Sequence, residues 1–144
     1  MLHDHAEILD THRVIRGVSD EFVVNDDNGQ PQRLSSALLD PSAIDVDPYC
    51  GLSVDLEHLM TEDGVDPVQY VKERKFLGAI VFGVRSFRSR NFFVGYDPRK
   101  GNPYHGGVWQ DGARGSKLTR GVRMALLREA AWLVQIDDVP VVAA

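Results

Sequence analysis

Apolar residues in this chain fall into short blocks separated by turn-forming residues, and the spacing inside each block predicts its element. Residues 76 to 84, with Phe76, Leu77, Ala79, Ile80, Val81, Phe82 and Val84, are too rich in β-branched and aromatic types for a comfortable helix and predict a strand buried on both faces. Phe92, Phe93, Val94, Gly95 and Tyr96 resume an apolar run after the polar connector 85 to 91. The simplest pairing of these two runs is an antiparallel hairpin with a long basic tip. Further strands are predicted near 12 to 16, 51 to 54 and 106 to 109. In the 51 to 54 segment Leu52 and Val54 share one face and Ser53 takes the other.

Helical signals are fewer. Asp66, Pro67 and Gln69 supply a capping carboxylate, a first-turn proline and a Gln three residues after the cap, so a helix is expected from 67 to 74. Leu56, Leu59 and Met60 mark a short helix, with His58 facing solvent. Residues 33 to 39 read as either a strand or one helical turn that Ser35 or Ser36 could cap. The longest pattern is 117 to 134, where Leu118, Val122, Leu126, Ala130, Leu133 and Val134 recur at spacings of three and four. The tail 136 to 142 is a candidate edge strand. Together these elements predict one α+β domain over 11 to 144, with a mostly antiparallel sheet covered by two or three helices. Residues 1 to 10 precede it as a flexible lead-in gripped only by Ile8 and Leu9.

Composition agrees with a single domain: 144 residues, 43% hydrophobic and 26% charged. The lone Cys50 excludes an internal disulfide framework and favours a reducing compartment, so a cytoplasmic location is expected. No run approaches the roughly 20 apolar residues of a membrane helix, and a membrane partner is not expected. The net charge of -5 conceals an asymmetry. Residues 1 to 71 hold 15 acidic and 3 basic side chains, whereas 72 to 144 hold 6 acidic and 13 basic. Either the two halves pack together and cancel, or Arg85, Arg88, Arg90, Arg99, Lys100, Arg114 and Lys117 gather around one mouth and attract an anion. A phosphate-bearing small molecule fits that second reading; a nucleic acid fits it less well.

Polar residues that could form a site are dispersed: His12 and Arg13, Ser35 and Ser36, Ser53 in Gly51 to Asp55, and Tyr104 with His105 at the entry to the last core strand. No metal site is predicted, since no second ligand falls at helical or strand spacing near His105. His3 and His5 flank Asp4 in a tail without further ligands. The order of these residues resembles the layout of ADP-ribosyltransferase-like folds, including the RES toxin family. That resemblance implies an NAD-using enzyme, a toxin or defence component. In it Arg13 would hold the NAD phosphates, Ser53 would orient the nicotinamide ribose and His105 would take the late-strand position. The pattern departs in one respect: residues 78 to 128 contain no Glu, and Asp97 and Asp111 are the carboxylates there. The segments RVIR, Ser35-Ser36-Ala37, Gly51 to Asp55 and Asn102-Pro103-Tyr104-His105 are also similar to a group of small bacterial proteins without an assigned activity. The leading expectation is a domain that binds an anionic ligand or a protein partner through basic loops. Arg13, Ser36, Arg88, Arg90 and Tyr104 are the candidate binding residues, and His105 and Ser53 the candidate catalytic ones.

Overall fold

The computed structural model describes residues 4–40, 51–110 and 118–141. Their frame is a six-stranded sheet of β1 (Arg13–Val18), β4 (Leu52–Leu56), β5 (Gly78–Gly83), β6 (Phe92–Tyr96), β7 (His105–Gln110) and β8 (Ala131–Val134). They lie in the order β6-β7-β4-β1-β5-β8, and every neighbouring pair is antiparallel. A small separate ribbon joins β2 (Val23–Asn25) to β3 (Pro31–Leu34). Four helices complete the described residues: α1 (Glu57–Glu62), α2 (Pro67–Glu73), α3 (Val84–Arg88) and α4 (Arg120–Glu129). The chain is therefore an α+β fold with a mostly antiparallel sheet, as its apolar spacing predicts.

Alternation along the strands divides the core between the two sheet faces. Val14, Leu52, Val54, Leu56, Ile80 and Phe82 face the larger cluster, which takes in Ile8, Leu38, Leu39, Phe87, Leu126 and Leu127. Ile15, Ala79 and Val81 face a smaller cluster with Met60 of α1 and Val71 of α2. The Asp66 cap works as its sequence predicts: its Oδ1 accepts from the Val68 N–H at 3.0 Å, with Pro67 opening the helix. The either-or at 33 to 39 resolves into both elements, a strand followed by a 3-10 turn at Ser36–Leu39. Ser35 caps this turn by accepting from the Ala37 N–H.

Three expectations need correction. The runs 76 to 84 and 92 to 96 do not form a hairpin: β5 lies between β1 and β8, while β6 pairs only with β7 at the far edge. Their connector is the helix α3, because Val84 and Phe87, both fully buried, turn inward together and Phe87 packs against Phe82 with ring centroids 5.3 Å apart. The last helical pattern stops at Glu129 instead of running to 134. Ala130 is already extended, and Trp132 and Val134 pair with β5 as part of edge strand β8, so the edge strand is not the tail. His58 does not face solvent: its ring stacks on His12 at 4.0 Å and its Nε2 lies 3.4 Å from the Tyr96 hydroxyl.

Residues 4 to 10 carry a dense set of anchors. Ile8 is fully buried while Leu9 is half exposed. Arg88 bonds the Asp4 and Asp10 carboxylates and the carbonyls of His5 and Ile8. Asp4 and His5 in turn accept from the backbone N–H groups of Val94 and Tyr96, covering the outer edge of β6.

A polar cavity where β1 and β4 part

β1 and β4 remain paired for only two residues, Val14 with Leu56 and Ile15 with Asp55. Beyond Ile15, β1 stays on β5 to Val18 while β4 turns to β7. The guanidinium of Arg16 crosses the resulting gap. Its Nε donates to the Leu38 carbonyl of the 3-10 turn at 3.1 Å and its NH1 to the Ser53 carbonyl of β4 at 2.7 Å, so one side chain satisfies a carbonyl on each side of the gap. Arg16 is 8% exposed, so most of its charge is withdrawn from water.

The gap opens into a cavity of about 160 Å³. Its polar lining comes from Arg16, Ser19, Ser53, Asp55, Arg74, Asn102 and His105, and Phe22 and Phe76 supply apolar wall. Gly17 lets the wall close, because a Cβ there would sit 2.6 Å from the Phe76 ring.

Asp55 is held by a chain of side-chain hydrogen bonds. Asn102 Nδ2 donates to Asp55 Oδ1 at 2.8 Å, the Tyr70 hydroxyl donates to Asn102 Oδ1 at 2.7 Å, and Arg74 donates to the Tyr70 oxygen at 3.2 Å. Asn102 reaches this position through the tight turn at Gly101 (φ 80°), closed by backbone bonds between Arg99 and Asn102. Burial pushes the Asp55 carboxyl above its ordinary proton affinity. The Asn102 bond and the positive fields of Arg74, His105 and Arg16 pull the other way and only partly offset it. His105 stands opposite Asp55 in the β4–β7 register and is 8% exposed. Its Nδ1 donates to the Asp97 carbonyl at 2.8 Å.

Among the residues singled out from sequence, Ser53 and His105 meet at this cavity. Arg13 does not line it: its guanidinium makes a two-pronged pair with Glu57 through Nε and NH2. The NAD arrangement implied by resemblance places Arg13 with Ser53 and His105, and here the cavity cations are Arg16 and Arg74 instead. Ser36 lies in the 3-10 turn, away from the cavity lining. Tyr104 stands behind the lining, its hydroxyl on Asp63 at 3.0 Å and its ring against Tyr70. Arg88 is committed to the N-terminal segment, and Arg90 pairs with Glu129 and donates to the Ser86 carbonyl at 2.7 Å. A broader, open concavity of about 500 Å³ beside β6 is lined by Asp4, Arg88 and Phe93, but the charge of Arg88 is already met there by Asp4 and Asp10. Arg114, Lys117 and Cys50 fall outside the described residues.

Sequence reasoning passed over Arg16, Asp55, Arg74 and Asn102 as site residues. A signal for Asp55 was present: in Leu52-Ser53-Val54-Asp55-Leu56 the polar residues alternate strictly with buried apolar ones, so Ser53 and Asp55 must share a face. Among the described residues, no group of three or more His, Cys, Asp or Glu side chains is placed to hold a metal ion, and no helix is long and apolar enough to cross a membrane. Comparison with protein-family models, with curated proteins and with solved structures gave no match for this chain.

Proposed function

We propose that this chain binds a small anionic ligand in the cavity between β1 and β4. The observation that carries the reading is the charge balance of the lining: two guanidinium groups, Arg16 and Arg74, share a partly enclosed space with a single carboxylate, Asp55. Low-dielectric walls strengthen the attraction of such a cluster for an anion. Arg74 is suited to the task, since it makes no ion pair among the described residues and rests over the Tyr70 ring, 5.5 Å from its centroid. The volume of about 160 Å³ lies below the roughly 300 to 1,000 Å³ of pockets for larger ligands, which favours a phosphate or a short carboxylate over a whole dinucleotide.

Thermal-shift and calorimetric titration at low salt with inorganic phosphate, citrate, NAD and a short oligonucleotide tests the proposal. A small anion should raise the melting temperature, and the shift should be lost in Arg74→Ala. A shift that is undiminished in both Arg74→Ala and His105→Ala would place the ligand elsewhere. A response to NAD alone would favour the transferase-like alternative and justify an assay for nicotinamide release.

A further inference from the structure

Charge explains Arg16 and Arg74 at the cavity but leaves Asp55 without a purpose. A carboxylate among cations weakens the site for a bare anion, and its burial costs stability. Yet Asp55 is held with care. Asn102 is 6% exposed, and its Oδ1 accepts from both the Tyr70 hydroxyl at 2.7 Å and the Tyr104 N–H at 3.2 Å. Only its amide N–H₂ can therefore face Asp55. That donor occupies Asp55 Oδ1. The second oxygen, Oδ2, receives no hydrogen bond from the described residues. A fixed carboxylate with one oxygen engaged and one open, in the wall of a cavity, is an acceptor awaiting a donor.

Resting on the anion-binding reading above, we propose that the ligand is a small hydroxylated oxyanion: its phosphate or carboxylate lies against Arg16 and Arg74, and its hydroxyl donates to Asp55. Asp55 is then the specificity-determining residue. It penalises a plain anion, which leaves Oδ2 unsatisfied, and rewards one that brings its own donor. The raised proton affinity of Asp55 is in keeping with a strong acceptor. Phosphate and carboxylate sources share this chemistry, and matched ligand pairs distinguish them.

The test is calorimetric binding of two pairs that differ only in a hydroxyl: malate against succinate, and glycerol 3-phosphate against propyl phosphate. At neutral pH the hydroxylated member of one pair should bind about tenfold to a hundredfold more tightly, the range for a hydrogen bond to a charged group. Which pair discriminates identifies the oxyanion. Asp55→Asn keeps an acceptor for Asn102, and so keeps the fold, but replaces the open carboxylate oxygen with an amide. The preference should fall to about twofold or threefold, the lower end of the range for a neutral hydrogen bond. Equal binding within both pairs, or undiminished discrimination in Asp55→Asn, overturns the proposal while leaving anion binding intact. If no member of either pair binds and inorganic phosphate and citrate also fail, the anion-binding reading falls and takes this inference with it.

Discussion

At the scale of single residues, Asp55 and His58 work against stability in opposite pH ranges. Asp55 has a folded proton affinity raised by burial, so the folded state pays to keep it ionised. That cost is present at neutral pH and is relieved as the pH falls through the raised folded value towards the ordinary carboxyl value of about 3.9. Asp55→Asn should therefore melt at or above the wild-type temperature at pH 7, and the difference should shrink on acidification. His58 shows the reverse. Its proton affinity is lowered by burial and by the neighbouring His12, with Glu62 opposing. Its Nδ1 is buried with no hydrogen-bond partner among the described residues. The unfolded chain takes up this proton first, so the wild type should lose stability as the pH falls through about 6.5. A His58→Phe variant, scanned from pH 7.5 to 5, should show a shallower decline; an identical slope would remove His58 from the account.

At the scale of elements, β6 depends on contacts that come from far away in the chain. Arg88 at the end of α3 draws residues 4 to 10 against the β6 edge, and its side chain is 18% exposed. Arg88→Ala leaves two carbonyls and two carboxylates without their donor, and should cost about 2 kcal/mol or more in chemical denaturation. The local signature is sharper: amide exchange at Val94 and Tyr96, whose N–H groups are covered by Asp4 and His5, should accelerate well before the rest of the sheet. Gly106 sets the closeness of β7 to its neighbours. A Cβ there would lie 2.8 Å from the Gly95 carbonyl oxygen and 2.9 Å from Leu56 Cδ2, one of them rigid backbone. Gly106→Ala should destabilise by about 1 to 3 kcal/mol, as overpacking does elsewhere, and a neutral result in denaturation would show that β6 and β7 can separate without penalty.

At the scale of the whole molecule, the opposing charges of the two halves meet in part across the fold. Arg88 pairs with Asp4 and Asp10, and Arg123 lies 4.0 Å from Asp40. Basic residues that looked like an anion-attracting tip in the linear sequence are thus partly spent inside the molecule. Because the pairs reach solvent, each should contribute no more than about 1 kcal/mol to stability. Ligand binding should respond more strongly to salt: the affinity for phosphate or citrate should fall steadily as sodium chloride is raised, whereas a salt-independent affinity would argue against Arg16 and Arg74 as the holding groups.

Local chemistry determined much of the architecture before any tertiary contact was known. Strands β1, β4, β5, β6 and β7 follow from apolar alternation and β-branched runs, and α2 from Asp66 and Pro67, because propensity and capping act within a few residues. Tertiary packing decided what those signals leave open. Whether 85 to 91 is a loop or a helix turned on burying Val84 and Phe87 together. Whether 131 to 134 continues a helix or becomes a strand turned on the free edge of β5. The candidate site was legible only in pieces: Ser53 and His105 stood out as polar residues at strand positions, but nothing in their spacing says that β4 pairs with β7. Arg16 reaches the cavity because β1 and β4 part after two residues, while Asn102 and Arg74 come to Asp55 from the Gly101 turn and the end of α2. Strand order and strand separation are set by which faces bury against which, a property of the whole fold that no short window of sequence contains.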